Sequence, residues 1–115
     1  MDKITLFYNI VQMAAVDGKF TDEEIRHLIG RANQWQIPDE EFETAIAGIS
    51  TGKTEVDIPE SQEDRTTLLK EMILMMAVDG ELAEVEKDLC ARISVNMGFS
   101  PARLKETIES LLKRD

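Results

Sequence analysis

An internal duplication constrains this 115-residue sequence more than any other feature. When the chain is shifted against itself so that position 13 falls on position 75, MAAVDG at 13–18 aligns with MMAVDG at 75–80, with five of the six positions identical. Among the further identities that this repeat shift aligns are Thr5 with Thr67, Leu6 with Leu68, Glu24 with Glu86, and Ile46 with Ile108. A repeat of this length is typical of one supersecondary unit present twice. We therefore predict a single domain over residues 1–115, with copies at about 4–50 and 66–112 and a linker at 51–61.

Apolar residues in both copies follow the helical period. In the first segment of each copy they recur at intervals of three and four residues, which is typical of an amphipathic helix. These residues are Phe7, Ile10, Val11, Ala14 and Ala15 in copy one, and Leu69, Met72, Ile73, Met76 and Ala77 in copy two. Each first helix is expected to end at an Asp-Gly pair, 17–18 or 79–80, because glycine readily adopts the left-handed backbone that closes a helix.

The second and third helices of each copy have recognisable starting residues. Thr21 and Glu24 have the spacing of a capping box, which predicts the start of the second helix of copy one. The apolar face of that helix is predicted to comprise Ile25, Leu28, Ile29 and Ala32. A third helix is expected after Pro38 in copy one and at Ser100-Pro101 in copy two, because serine caps helices and proline is tolerated in their first turn.

The predicted fold class is all-α. No segment has sustained period-two alternation, and only residues 54–58 could form a short extended piece. We expect a helical bundle of about six to eight helices, built from two copies related by a pseudo-twofold axis. Neither copy has enough apolar faces to enclose a core, so the two first helices are expected to pack together in the middle.

The charge of the chain restricts its partners. Thirteen Lys and Arg against 23 Asp and Glu give a net charge of −10, which repels nucleic-acid phosphates and anionic lipid headgroups and attracts cations or basic protein surfaces. We therefore predict no nucleic-acid binding, a protein partner, and a second copy of the chain as one candidate partner. The longest apolar run, residues 72–78, is far shorter than the roughly 20 residues of a membrane span, so direct membrane insertion is not expected.

The chain has one cysteine, Cys90, and one histidine, His27. An intramolecular disulfide and a Cys/His zinc cluster are therefore excluded, and no Ser/His/Asp set is identified for hydrolysis. We expect Cys90 in or near the core and His27 at the surface or half-buried. The N-terminus lacks the basic start and apolar stretch of a secretory signal, which predicts a cytoplasmic protein.

The duplication also repeats acidic residues: Asp17 with Glu24, and Asp79 with Glu86. The spacing D-G-x-Φ-x-x-x-E, where Φ is apolar, matches the second half of an EF-hand calcium loop, while the ligand positions of the first half are apolar in both copies. If the pseudo-twofold axis brings the two loops together, their four carboxylates would form a site suited to Ca²⁺ or Mg²⁺.

A second interpretation assigns the acidic residues purely local roles. Asp-Gly is a common turn dipeptide, and Glu24 can cap its own helix. In copy two, however, Ala83 stands where copy one has Thr21, and alanine cannot accept a capping hydrogen bond. Glu86 is nevertheless present, so capping alone does not account for both glutamates.

The repeated unit resembles the TerB-like family, a tellurite-resistance-associated domain. The resemblance covers nearly the whole chain and rests on Ala15, Asp17, Gly18, Glu24, Ala77, Asp79, Gly80, Glu86 and the segment Gly98-Phe99-Ser100-Pro101. It implies an all-helical domain with no established catalytic activity. It also implies acidic positions that hold a divalent metal, and involvement in membrane-associated stress or tellurite responses.

Three functional hypotheses follow. The first is a non-enzymatic module that binds a divalent cation through Asp17, Glu24, Asp79 and Glu86 and acts in stress (tellurite)-related signalling or assembly. The second is a protein-protein interaction scaffold with an acidic docking face and no metal. The third, metal-assisted hydrolysis of a phosphate ester, is disfavoured because the sequence identifies neither an additional base nor an arginine cluster that could grip a phosphate.

Overall fold

Six α-helices form the described part of the chain. The structure is a computed structural model, which describes residues 2–15, 21–48, 56–78 and 84–112, with the backbone alone at Glu86 and Leu112. The helices are α1 (Lys3–Ala15), α2 (Asp22–Gln34), α3 (Asp39–Gly48), α4 (Gln62–Met76), α5 (Glu84–Asn96) and α6 (Pro101–Leu112). These residues contain no β-strand. The prediction of an all-α bundle is therefore confirmed.

The repeat shift recurs in the three-dimensional structure. It aligns both ends of α2 with those of α5, and the first residue of α3 with that of α6. The buried apolar residues of α1 correspond one to one with those of α4: Leu6, Phe7, Ile10, Val11, Met13 and Ala14 with Leu68, Leu69, Met72, Ile73, Met75 and Met76. The duplication is therefore visible in the bounds of α2 and α5 and in the buried residues of the central helices α1 and α4.

Helices α1 and α4 lie at the centre of the fold. They pack more extensively against each other than any other pair does, while α2 and α3 pack on α1, and α5 and α6 pack on α4. The central pairing of the two first helices is thus confirmed. Within copy one, the rings of Phe7 and Phe42 lie 5.6 Å apart between centroids and join α1 to α3. Because each copy buries its first helix against that of the other, a single core forms.

The Cys90 thiol belongs to this core, as expected. The side chain is 1 % exposed, and burial raises the pKa of its thiol to about 11. The thiolate is the reactive form of cysteine, so Cys90 is protonated and inert in the folded protein near neutral pH.

The two second helices end in the same way. The backbone N–H of Ile37 donates to the Ala32 carbonyl at 2.9 Å, and at the equivalent place in copy two that of Phe99 donates to the Ser94 carbonyl, also at 2.9 Å. The residue before each donor has a left-handed backbone, with φ of 55° at Gln36 and 87° at Gly98. Such a closure favours glycine, so the glutamine of copy one adopts it at a conformational cost.

Helix α4 differs from its predicted bounds at both ends. It begins at Gln62, where the Ser61 hydroxyl accepts a hydrogen bond from the Asp64 amide at 3.1 Å. It ends at Met76, with the Ala77 amide bonded to the carbonyls of Ile73 and Met75. Helix α4 therefore ends before the Asp-Gly pair at 79–80, not at that pair. The Ala77 amide already satisfies the carbonyls of Ile73 and Met75, which would otherwise lack a partner at the helix end. Both Asp-Gly pairs lie outside the described residues.

The predicted apolar face of α2 is only partly correct. Leu28 and Ala32 are buried, but Ile25 and Ile29 are 41 % and 46 % exposed. Each of these isoleucines directly follows a buried residue, Glu24 or Leu28, and is rotated by about 100° from it around the helix. Helix α2 packs on α1 through a face that is narrower than the predicted one, so both isoleucines remain accessible to solvent.

Two buried or half-buried polar side chains anchor the segment before α4. The Asn9 side chain donates to the Asp57 carbonyl at 2.9 Å and accepts from the Asp57 amide at 3.0 Å. The Arg65 guanidinium donates to the Pro59 carbonyl at 2.7 Å and to the Met97 carbonyl at 3.2 Å. Asn9 of copy one and Arg65 of copy two therefore hold the segment at 56–61 in place. Neither residue belongs to a recognisable sequence motif.

Candidate functional site

Glu24 is the one predicted ligand whose side chain the structure describes. It is the third residue of α2 and only 2 % exposed. One of its carboxylate oxygens accepts a hydrogen bond from the Thr21 backbone amide at 2.9 Å. The backbone amide of Glu24 donates in turn to the Thr21 hydroxyl at 3.1 Å. The capping box predicted from the sequence is therefore confirmed.

The other three predicted ligands are described in part or not at all. Glu86 is the third residue of α5, the position that Glu24 has in α2, but its side chain is not described. Asp17 and Asp79 lie outside the described residues. Among the residues that are described, no three His, Cys, Asp or Glu side chains are grouped so that they could hold a metal ion. Of the predicted set, only the Glu24 side chain belongs to these residues.

The start of α2 has a strongly acidic first turn. Asp22, Glu23 and Glu24 follow one another there, and Asp22 and Glu23 are exposed. Negative charge at a helix N-terminus is favourable because it faces the positive end of the helix dipole. The dipole therefore stabilises negative charge in this first turn, to which the buried Glu24 also belongs.

His27 lies one turn after Glu24 and is half-buried, as expected. Its Nε2 atom is buried without a hydrogen-bond partner, and so is the Oε1 atom of Gln12 on α1. Burial lowers the pKa of His27, and the positive charge of Arg31 lowers it further. The imidazole is therefore neutral in the folded protein at neutral pH.

We predict that His27 makes stability pH-dependent. The unfolded chain binds a proton at His27 near pH 6.5, whereas the folded chain binds it at lower pH, so stability rises with pH between the folded and unfolded pKa values. The contribution of neutral His27 to folding stability is fully present above about pH 6.5 and is lost as the pH falls through the lowered pKa of the folded state. Because the chain has a single histidine, its ring proton NMR signals titrate without overlap and should give a midpoint below 6.5.

The matched variant for this prediction is His27→Gln. Between pH 5.5 and 7.5, as a working window around the free histidine pKa of roughly 6.5, the melting temperature of the variant should change less with pH than that of the parent chain. Parallel pH curves for the two proteins would contradict the predicted linkage.

An ion pair and an aromatic contact fix the C-terminal end of α2. Arg31 pairs with Glu71 of α4 through a 3.0 Å contact and also lies over the Trp35 ring, 5.7 Å from its centroid. The ammonium of Lys3 lies 5.4 Å from the centroid of the same ring. Trp35 itself packs at the edge of the core. The end of α2 is therefore tied to both central helices.

The fold defines an all-helical domain made of two similar three-helix copies. A family model described as "Tellurite resistance protein TerB" matches residues 3–108, nearly the whole chain, and the chain belongs to the TerB family. The resemblance inferred from the acidic repeat is thereby confirmed.

Other comparisons add no relatives. No curated protein and no solved structure shows significant similarity to the chain. Among the six described helices, none is both long enough and apolar enough to cross a bilayer.

Proposed function

We propose that this TerB-family domain is a non-enzymatic, cytoplasmic module that binds a divalent cation. Asp17, Glu24, Asp79 and Glu86 are the proposed ligands, and Ca²⁺ and Mg²⁺ are the candidate cations. The module would act in stress (tellurite)-related signalling or assembly, by presenting a metal-stabilised surface to a protein partner.

The observation that carries this proposal is the matched position of the two glutamates. Glu24 and Glu86 are the third residues of α2 and α5, which coincide at both ends under the repeat shift. Copy one explains its glutamate by a capping box with Thr21, but the equivalent of Thr21 in copy two is Ala83, which has no capping oxygen. A role shared by both copies explains the repetition better than capping does.

The ligand chemistry points to a hard cation. Carboxylate oxygens with water molecules satisfy the coordination of Ca²⁺ and Mg²⁺, whereas thiolate and imidazole ligands would favour softer metals. Four carboxylates brought together without a cation would repel one another and shift some of their pKa values upward. A divalent ion would remove that repulsion and link the loops of the two copies.

The test is calorimetric titration of the full chain with Ca²⁺, Mg²⁺ and Mn²⁺. We expect saturable binding that is abolished in the double variant Asp17→Asn/Asp79→Asn. Because the ion binds the folded form, the melting temperature should also rise with ion concentration in the parent chain and not in the variant.

A second double variant, Asp39→Asn/Asp88→Asn, controls for net charge. It also removes two negative charges, but from exposed positions in α3 and α5, and should retain full binding. Equal weak heats from all three proteins would overturn the metal proposal.

The second candidate is an interaction scaffold without metal, either with a basic protein or with a second copy of the chain. Two observations favour it: the capping box gives Glu24 a local role, and Ile25 and Ile29 are exposed beside the acidic first turn of α2. This alternative predicts no saturable heat with any of the three cations.

A further inference from the structure

A cleft between α4 and α6 collects positive charge on a strongly acidic protein. Its volume is about 310 Å³, and its lining comprises Lys70, Arg103, Glu106, Thr107, Ser110 and Leu111. Lys70 and Arg103 are exposed, and within the described part of the chain neither forms an ion pair. With 23 acidic residues in the chain, two unpaired cations that line one cleft are unexpected.

At the equivalent place in copy one, a hydrogen bond joins the two helices. There the Tyr8 hydroxyl donates to a Glu41 carboxylate oxygen at 3.0 Å and joins α1 to α3. Burial raises the pKa of Tyr8, and the Glu41 carboxylate raises it further, which keeps the hydroxyl protonated as the donor. The repeat shift aligns Tyr8 with Lys70 and Glu41 with Arg103. The hydrogen-bonded pair of copy one is therefore replaced in copy two by two cations, and like charges repel each other.

We propose that this cleft binds the phosphate group of a small soluble ligand, either free phosphate or a phosphomonoester. Arginine and lysine are the side chains that proteins use to bind phosphate oxygens, and a bound dianion would remove the repulsion between Lys70 and Arg103. The Thr107 hydroxyl already donates to the Arg103 carbonyl at 2.8 Å, which leaves the Ser110 hydroxyl as the additional donor.

The charge around the cleft favours a small anion over an extended one. Glu106 places one carboxylate beside the two cations, so the three side chains carry a net charge of about +1. An extended polyanion or an anionic membrane would also meet the −10 charge of the whole protein, whereas a small phosphate meets the local charge only. The volume lies at the lower end of the range for small-molecule pockets.

The test is an NMR titration of the full chain with inorganic phosphate in metal-free buffer at constant ionic strength. We expect saturable shifts of backbone amides around Lys70 and at 103–111. Lys70→Gln and Arg103→Gln should each weaken binding roughly fivefold to tenfold, because each removes a charged donor. Glu106→Gln should strengthen it by about threefold, because it removes a repelling charge.

Lys105→Gln is the matched control, because Lys105 is an exposed residue of α6 that does not line the cleft. It removes the same charge and should leave phosphate binding unchanged. The double variant Lys70→Tyr/Arg103→Glu recreates the side chains of copy one and should abolish binding while the helical circular dichroism signal is retained.

Three outcomes would overturn the proposal: no saturable shifts, equal weakening by Lys105→Gln, or binding to phosphatidate vesicles without binding to free phosphate or glycerol phosphate. Because the titration contains no divalent metal, its result is independent of the proposed cation site.

Discussion

Phe7→Ala is expected to cause a large loss of stability. Phe7 is fully buried in α1 and contacts Phe42 across the interface with α3. Truncating a buried phenylalanine costs about 3–5 kcal/mol, through lost burial and the cavity left behind. Domains of this size have a free energy of unfolding of only about 5–15 kcal/mol, so this single change should bring the protein close to the limit of stable folding.

Thermal and urea denaturation followed by circular dichroism measure this effect. The melting temperature should fall by roughly 10–20 °C, given the entropy of unfolding of a domain this small. Val95→Ala is the control, because Val95 is 58 % exposed on α5 and its truncation should change stability by less than about 0.5 kcal/mol. Similar losses in the two variants would mean that Phe7 is not part of the core.

Asn9→Ala should have the second largest effect. Asn9 is 2 % exposed, and its side chain makes two hydrogen bonds to the backbone of Asp57. The variant loses both bonds and leaves peptide groups of the segment before α4 without their partner, so we expect a loss of about 2–3 kcal/mol. The Asp57 amide should also exchange its hydrogen faster with solvent, because its acceptor is gone.

Asn33→Ala is the matched control for this prediction. It makes the same substitution within a helix, at an exposed position of α2, and so reproduces the change in helix propensity without the buried contact. A loss at Asn9 no greater than that at Asn33 would contradict a structural role for the contact with Asp57.

Much of the fold follows from patterns that are local in the sequence. The apolar spacing in α1 and α4 identifies their buried faces, and the Thr21–Glu24 spacing locates the start of α2. These predictions succeed because helix periodicity and capping involve residues three or four positions apart. Ile25 and Ile29 were misassigned because the width of a buried face depends on what packs against it, which is not a local property.

For the candidate metal site, the sequence proposes the residues but not their geometry. The duplication selects Asp17, Glu24, Asp79 and Glu86 as a set, and the structure places Glu24 and Glu86 at equivalent positions of α2 and α5. Sharing of one ion by the four carboxylates depends on the distances between the segments 17–24 and 79–86, which are far apart along the chain. Helix patterns do not encode such distances.

The sequence by itself therefore determined the helices, the twofold repetition and the family, because each depends on short-range spacing or on the similarity of the two copies. Only the tertiary structure decided which distant polar residues meet. Asn9 bonds to Asp57, which is remote from it in the chain, and Lys70 and Arg103 line one cleft although they belong to different helices. The reason is physical: the packing of α1 on α4 and of α6 on α4 brings these groups together, and that packing depends on the shape of the whole core.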